Sequence, residues 1–321
     1  MIPLVHGLPA VVGETARVGL FGGEDPQPAL CIDPGDEVVT SVLGPWAGRL
    51  ARNASMADLL RLRAEYPGVG PHTLTGPIEV TGARPGDAIG VEILAVVPED
   101  HGVNFALPAD LSRGVLAERL AEGYVRHFDI DAEAGIARSG ALEVPIAPFL
   151  GFVGVAPADP EPRSSVVPGA FGGNIDLRLA TAGATVWLPV HRPGALLYLG
   201  DAHAAQGNGE ISGTAIECGA RRVHIRVHRL EGVELEHPRL TDAESLVSVG
   251  LGGTLEDAVR VAAREMLSWL SAGGMDEADA YALCSVAGNI SVTQVVNRTV
   301  GAHLTIPRSL VRGEPSPPAL G

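Results

Sequence analysis

Apolar and polar residues alternate with a period of two over much of the chain, which is the pattern of strands with one buried face. Apolar residues alternate with arginine and histidine over 222–230, and the β-branched run 37–43 follows a Pro-Gly-Asp turn. Two segments, 55–66 and 254–270, instead place apolar residues at helical spacing, and a Pro-Gly or Gly-Gly pair follows each. The sequence therefore predicts a β-rich α+β protein with its helices concentrated in the C-terminal part.

Weaker patterns complete this outline. Residues 110–122 predict a further helix, and Asp276 is placed to cap another that extends to Ala287. Prolines interrupt the apolar runs between 145 and 162 and indicate a bending connection. We therefore divide the chain into a β-rich part, 1–160, and a part with the candidate site and the C-terminal helices, 161–321, and expect the two to pack as one unit.

Composition and charge limit the possible partners. The apolar fraction of 46% predicts a folded globule, and a net charge of −15 argues against binding to nucleic acid or anionic membrane surfaces. No apolar run approaches the ~18 residues of a membrane span, and the N-terminus lacks the pattern of a signal peptide. The three cysteines are far apart, so neither a disulfide framework nor a thiolate zinc site is predicted. We expect a cytoplasmic protein.

All 23 basic residues are arginine. Without lysine the chain can form neither a Schiff base nor a P-loop phosphate site. The Ser-Ser-Lys and Cys-Glu-Lys arrangements, which cleave amides in other hydrolases, are excluded for the same reason.

The segment 200–210, Gly-Asp-Ala-His-Ala-Ala-Gln-Gly-Asn-Gly-Glu, concentrates polar residues directly after the apolar run 195–199. Burying such groups is costly unless they are paired or bind a ligand. If 195–203 and 210–217 form an antiparallel hairpin, Asp201, His203 and Glu210 lie on one face. This mixture of nitrogen and oxygen donors suits zinc or another divalent cation. A hairpin turn with solvated polar residues is the simpler interpretation.

Four further candidate residues lie elsewhere. His72 stands among glycines and prolines that can hold a side chain rigidly, although a lone loop histidine often has no function. Asn174 and Asp176 follow Gly172-Gly173 and point the same way if the segment is extended, or else they satisfy a local glycine turn. Glu217 has the opposite strand parity to Glu210 and would leave the site face unless a bulge intervenes near Gly213.

Six segments in order make the chain resemble the acetamidase/formamidase family: 72–77, 148–157, 172–176, 188–190, 194–196, and 200–210 with 214–217. Residues 280–296 are similar to the C-terminal part of that family. Where the family tends to carry an acidic residue, this chain has Gly44-Pro45-Trp46. The resemblance implies a β-sandwich or barrel-like body, a bound metal, a homo-oligomer (dimer or trimer), and hydrolysis of a small linear amide to carboxylate and ammonia. It also supports Glu217 as a site residue.

We combine these observations into one hypothesis. His72, Asp201 and His203 hold a divalent cation, with zinc as the expected metal. Glu210 serves as the general base and later passes a proton to ammonia. Asn174 and Asp176 orient the amide or the metal ligands.

Two other classes of function stay open at this point. A β-hairpin with His203 and Glu210 also suits a cupin-like metal-dependent oxygenase or isomerase, although position 201 would then normally be histidine. A non-catalytic module that binds a small ligand would keep the pocket and release no ammonia.

Overall fold

The computed structural model describes residues 4–8 and 16–311. Within them the strands are β1 (Val5–Leu8), β2 (Ala16–Val18), β3 (Leu20–Gly22), β4 (Leu30–Ile32), β5 (Glu37–Val42), β6 (Thr73–Val80), β7 (Ala88–Ala106), β8 (Tyr124–Asp131), β9 (Ile136–Ser139), β10 (Leu142–Pro145), β11 (Phe149–Val155), β12 (Pro162–Ser164), β13 (Gly172–Asn174), β14 (Thr185–Pro189), β15 (Leu197–His203), β16 (Glu217–Leu230), β17 (Arg239–Thr241), β18 (Ser245–Gly252), β19 (Asn289–Gln294) and β20 (Val300–Pro307). The helices are α1 (Pro45–Gly48), α2 (Met56–Glu65), α3 (Leu255–Ala272) and α4 (Glu277–Val286), and two short 3-10 turns span Ala117–Arg119 and Arg308–Leu310.

The alternating pattern forms strands as predicted. In β16, Val223, Ile225 and Val227 are fully buried, whereas the arginines and histidines between them reach the other face. Most strand pairs of the large sheet are antiparallel, and β1–β5 and β4–β6 are parallel. The predicted β-rich α+β class is confirmed.

The strand β15 changes its partner midway. It pairs with β11 along its length, while on its other side Leu199 and Gly200 pair with β6 and Ala202 and His203 pair with β16. A side chain at Gly200 would come within 2.6 Å of the Thr73 carbonyl, so only glycine allows β6 to approach this closely. Three strands therefore meet around Asp201 and His203.

The predicted hairpin between 195–203 and 210–217 is wrong in register. His203 pairs with Glu217, not with Glu210, and 204–216 form the connection between β15 and β16. The error has a physical cause, since Gly209, the residue before Glu210, bonds to a different strand: Gly209 N donates to Thr293 O at 3.0 Å, and Val295 N donates to Gly209 O at 3.2 Å. Backbone pairing with the β19 region thus replaces pairing with β15.

The two predicted parts of the chain share their sheet and their main core. β5, β6 and β7 come from the first part and pair with β14, β15 and β16 from the second. One hydrophobic cluster contains side chains of both parts, such as Ile78, Ile89, Leu197 and Val223. The boundary near residue 160 stays a prediction.

Helix α3 carries the stripe that the sequence predicts. Thr254 caps it by accepting from the Asp257 backbone N–H, and the stripe packs on β18 and β20 in a second core that includes Met266, Trp269 and Leu304. Helix α2 is also confirmed, with a capping box formed by Ser55 and Asp58. Within the described residues, no helix is both long and apolar enough to cross a bilayer.

The helix predicted over 110–122 is wrong. Only Ala117–Arg119 forms a single 3-10 turn there. The backbone instead bonds to the loop after β15, since Val115 N donates to Ile211 O at 2.8 Å, and Gly114 lies too close to Ser212 for any side chain. Tertiary contacts override the local helical pattern.

Candidate active site

The residues predicted for the site come together around His203. Asp201 and His203 lie at the end of β15, Glu217 is the first residue of β16, and Glu210 lies on the loop between these strands. Asn174 ends β13, and Asp176 follows two residues later. All of these side chains are buried, with exposures between 1% for His203 and 7% for Glu210.

His203 occupies the centre of four carboxyl groups, those of Asp176, Asp201, Glu210 and Glu217, which we call the carboxylate cluster. Its Nε2 lies 3.2 Å from Glu217 Oε2 and 3.4 Å from Asp201 Oδ2, and its Nδ1 lies 3.8 Å from Asp176 Oδ1. Ligand atoms of Asp201, His203 and Glu217 lie within 4.8 Å of one another, and so do those of Asp176, His203 and Glu210.

Glu217 therefore belongs to the cluster despite its strand parity. The parity argument depended on pairing with the wrong strand, and the observed register places Glu217 directly opposite His203. The carboxylate is also fixed in place, because its Oε1 accepts a hydrogen bond from the Ala215 N–H at 2.9 Å.

His72 reaches the cluster from the start of β6. Its Nε2 lies 3.9 Å from Asp201 Oδ2, and its Nδ1 is hydrogen-bonded to Ser165 Oγ at 2.8 Å. The serine orients the ring so that Nε2 faces the cluster. A second-layer contact of this kind is common for histidines that bind metals.

Several polar atoms of the site are buried with no hydrogen-bond partner among the described residues. They are both ring nitrogens of His203, Oδ1 of Asp176, Oε2 of Glu210 and Oδ1 of Asn174. Buried polar groups are nearly always satisfied, so atoms that converge without partners indicate a ligand position. The donors are imidazole nitrogens and carboxylate oxygens, which suit zinc and similar divalent cations.

The electrostatics of the cluster also favour an added positive charge. Burial raises the pKa of Asp176 to about 7, and burial together with the Asp176 carboxyl raises the pKa of Glu210 well above its usual range. Burial opposes the charged form of His203, but Glu217 and Asp201 raise its pKa well above the ordinary value. Burial likewise opposes ionisation of Asp201, and His72 and His203 outweigh it and lower the pKa of that carboxyl. Since several buried carboxyl groups compete for little positive charge, a cation fits this donor set.

The backbone is strained at three of the acidic residues. Asp176, Asp201 and Glu210 have φ values of 49°, 56° and 50°, in the left-handed region that disfavours residues with a side chain. Such conformations persist where the surrounding structure enforces them, often at functional sites. Here the strain turns three side chains towards one point.

Residues that the sequence did not indicate hold the carboxyl groups in place. Asn297 Nδ2 donates to Asp176 Oδ2 at 2.5 Å and to the Asn174 carbonyl at 3.1 Å. Gln294 Oε1 in turn accepts from the Asn297 N–H at 2.9 Å, and Gln206 donates to the Asp176 carbonyl. The only sequence signal for Asn297 was its position next to the 280–296 segment of the resemblance. Ser165 carried no signal.

Gly151 lies beneath the cluster on β11, opposite Asp201. A Cβ atom there would stand 2.5 Å from Asp176 Oδ1 and 2.6 Å from Asp201 Oδ2. We expect Gly151→Ala to lower the free energy of unfolding by about 1–3 kcal/mol, the usual cost of overpacking. It should also reduce activity by about 100-fold, because a displacement of the site carboxyl groups by about 1 Å can lower the rate by a factor of this size.

Gly207→Ala is the matched control for that variant, since nothing lies within 4 Å of a Cβ at this exposed position of the loop between β15 and β16. Denaturant unfolding and turnover of both variants make the comparison. Equal behaviour of the two variants would show that Gly151 does not position the cluster.

A cavity of about 600 Å³ opens above the carboxylate cluster. Asp201, Glu210 and Glu217 line its buried end, and His72 and Asn174 also reach it. Trp46 and Phe105 form part of the wall, with their rings stacked at 6.0 Å. The site is therefore a pocket for a small molecule rather than a closed structural centre.

Comparison with known proteins identifies the family of the chain. The model of the acetamidase/formamidase family matches residues 24–165 and 159–311. The structure of an acetamidase from Yersinia enterocolitica is 30% identical, with a TM-score of 0.85 over 97% of this chain and 94% of that chain. An acetamidase from Bacillus halodurans is 28% identical, with a TM-score of 0.83 over 94% and 97% of the two chains.

A curated relative matches over a shorter region. The formamidase of Methylophilus methylotrophus is 27% identical, and the matched region covers 56% of each chain. The chain therefore spans about half the length of this relative. Because the family model matches nearly all of the sequence from residue 24 to residue 311, the chain belongs to the acetamidase/formamidase family.

Proposed function

We propose that this protein hydrolyses small linear amides to a carboxylate and ammonia, with the help of a divalent cation. The observation that carries the proposal is His203, whose two ring nitrogens form no hydrogen bond with another described residue and lie among four buried carboxyl groups, three of which line the buried end of a cavity. Family membership and the acetamidase and formamidase names of its relatives support an amide as substrate.

Asp201, His203 and Glu217 are the proposed ligands, with His72 as a fourth. Their donor atoms converge, and the mixture of nitrogen and oxygen suits zinc. The chemistry that a cation would supply there is polarisation of the amide carbonyl and a pKa of bound water lowered towards ~7. The other steps depend on residues of this chain.

Glu210 is the proposed general base. Its Oε2 is buried and has no hydrogen-bond partner among the described residues, so it is free to take a proton. In the reaction a C–O bond forms between water and the carbonyl carbon, and Glu210 Oε2 accepts the proton that water loses. The C–N bond then breaks, and Glu210 returns the proton to the departing ammonia.

Asp176 and Asn174 are the proposed orienting residues. Asn297 holds the Asp176 carboxyl and the Asn174 backbone, which leaves Asp176 Oδ1 and Asn174 Oδ1 as acceptors for the amide NH₂.

The experiment is an ammonia-release screen over formamide, acetamide, longer amides and urea, paired with elemental analysis of the purified protein. We expect ammonia from at least one short amide, and about one zinc ion or another divalent ion per chain, the stoichiometry of a single catalytic zinc site. Redox-active iron without ammonia release would instead favour the cupin-like oxygenase. A metal-free protein that binds amides without cleaving them would favour the binding module. The cytoplasmic location and the homo-oligomer stay predictions.

A further inference from the structure

The cavity is larger than formamide or acetamide requires. Pockets of about 300–1,000 Å³ usually hold drug-sized ligands, and this one measures about 600 Å³. Acetamide has only four heavy atoms, whereas aromatic and aliphatic side chains such as Trp46, Tyr66, Phe105 and Leu111 line much of the remaining wall. The pocket therefore has room for an acyl group with an apolar chain.

Three arginines line the exposed part of the same cavity. Arg63 lies on α2, Arg113 on the loop after β7, and Arg298 on the turn between β19 and β20. None of their guanidinium groups forms an ion pair with another described residue, although arginines elsewhere do, such as Arg49 with Glu65 and Arg226 with Glu37. Three separate elements thus bring to one opening positive charges that have no ion-pair partner in the described part of the chain.

These charges are close enough to affect one another. Partial burial, with the neighbouring charges of Arg298 and Arg63, lowers the pKa of Arg113. Gathering like charges is unfavourable, and an anion between them removes the repulsion. Guanidinium groups bind carboxylates through paired hydrogen bonds, so a carboxylate is the matching chemistry.

The positive charge at the opening is opposite in sign to the net charge of the whole protein. The chain carries a net charge of −15, so an anionic ligand is repelled by the protein as a whole. At the opening of the cavity the local charge is positive, whereas the carboxyl groups lie at its buried end. This arrangement favours a ligand with a negative charge at one end, and that end stays at the opening when the ligand enters.

Arg298 is tied to the site directly. It follows Asn297, which holds Asp176, and its own backbone is in the left-handed region with φ of 64°. The turn that fixes a site carboxyl therefore also fixes one of the three cations.

We propose that the preferred substrates are anionic amides, with a primary amide at one end, an apolar spacer, and a carboxylate that Arg63, Arg113 and Arg298 bind at the other end. The inference rests on the proposed function for the cleavage of the amide. It adds the chemical class of the acyl group.

The test compares two series of substrates of equal length. Monoamides of dicarboxylic acids, from succinamate to suberamate, carry one negative charge, and the corresponding diamides are nearly isosteric and neutral. At the best length, kcat/KM for the monoamide should exceed the value for the diamide, counted per amide group, by about tenfold, the combined effect of a few partly exposed ion pairs. The ratio should fall as salt is added.

Variants test which arginines are responsible for the preference for the monoamide. Arg113→Met and Arg298→Met should each lower the monoamide-to-diamide ratio by several-fold, and the double variant should bring it close to one. Arg221→Met is the control, because this exposed arginine lies outside the cavity and should leave the ratio unchanged. A wild-type ratio near one, or a ratio unchanged in the double variant, would overturn the proposal.

Calorimetry with adipate separates this inference from the proposed function. Adipate has no amide, so its binding does not depend on catalysis. If no amide is cleaved, yet adipate binds to the wild type and not to the double variant, the arginine site stands and the proposed reaction fails. If neutral amides release ammonia and adipate does not bind, the reaction stands and the anionic substrate class is wrong.

Discussion

Replacing His203 with glutamine is expected to abolish metal binding and to lower kcat/KM for the best amide by about 1,000-fold or more. Both ring nitrogens of His203 lie among carboxyl groups and form no hydrogen bond with another described residue, so the substitution removes the central nitrogen donor of the proposed site. A bound cation supplies several kcal/mol of transition-state stabilisation, which corresponds to a loss of this size. Elemental analysis and ammonia release are measured on the same preparation.

His191→Gln is the matched control for this prediction. His191 is half-buried and lies at a separate surface pocket with Asp87 and His237, so metal content and turnover should stay at wild-type levels. The proposed site would be wrong if His203→Gln kept both its metal and its turnover. Circular dichroism should verify that the variant is folded, because removing the central histidine from a group of buried carboxyl groups also costs stability.

Glu210→Gln should have the second-largest effect, and of a different kind. The amide keeps the shape of the side chain but cannot take a proton, so kcat should fall by about 100- to 10,000-fold. Metal content and KM should change little, because Glu210 is not among the proposed ligands. Steady-state kinetics with elemental analysis measure all three quantities.

Glu217→Gln, at the same site, is expected to affect metal binding first, in contrast to Glu210→Gln. Its Oε2 lies 3.2 Å from His203 Nε2, and we assign it to the metal, so this variant should lose metal before anything else. If instead Glu210→Gln loses the metal and Glu217→Gln keeps it, the ligands are those of the second group, Asp176, His203 and Glu210. The two glutamates would then exchange roles.

Much of the site could be predicted because polar residues that directly follow an apolar run can be recognised from the sequence alone. Asp201 and His203 directly follow the buried run 195–199, and burial of such groups demands a partner or a ligand. The absence of lysine excluded the familiar amidase arrangements without any structure. Helix α3 and the strand pattern of β16 follow from periodicity, which is a local property.

Glu217 and Glu210 show where local reasoning fails. Strand parity predicts a shared face only if the strand pairing is known, and the pairing of Gly209, next to Glu210, with the β19 region depends on residues far along the chain. The predicted helix over 110–122 fails for the same reason, because its backbone bonds to the loop around Ile211.

Composition, alternation and the polar segment 200–210 by themselves determined the fold class, the exclusion of lysine chemistry and most of the candidate site residues. Only the tertiary structure decided which of them touch. The contact of Asn297 with Asp176 spans 121 residues of sequence, and Gly151, Ser165 and the three arginines come from five separate segments. The physical reason is that distances in a sheet-based site are set by strand register and by side chains from remote segments, and neither leaves a periodic trace in the sequence.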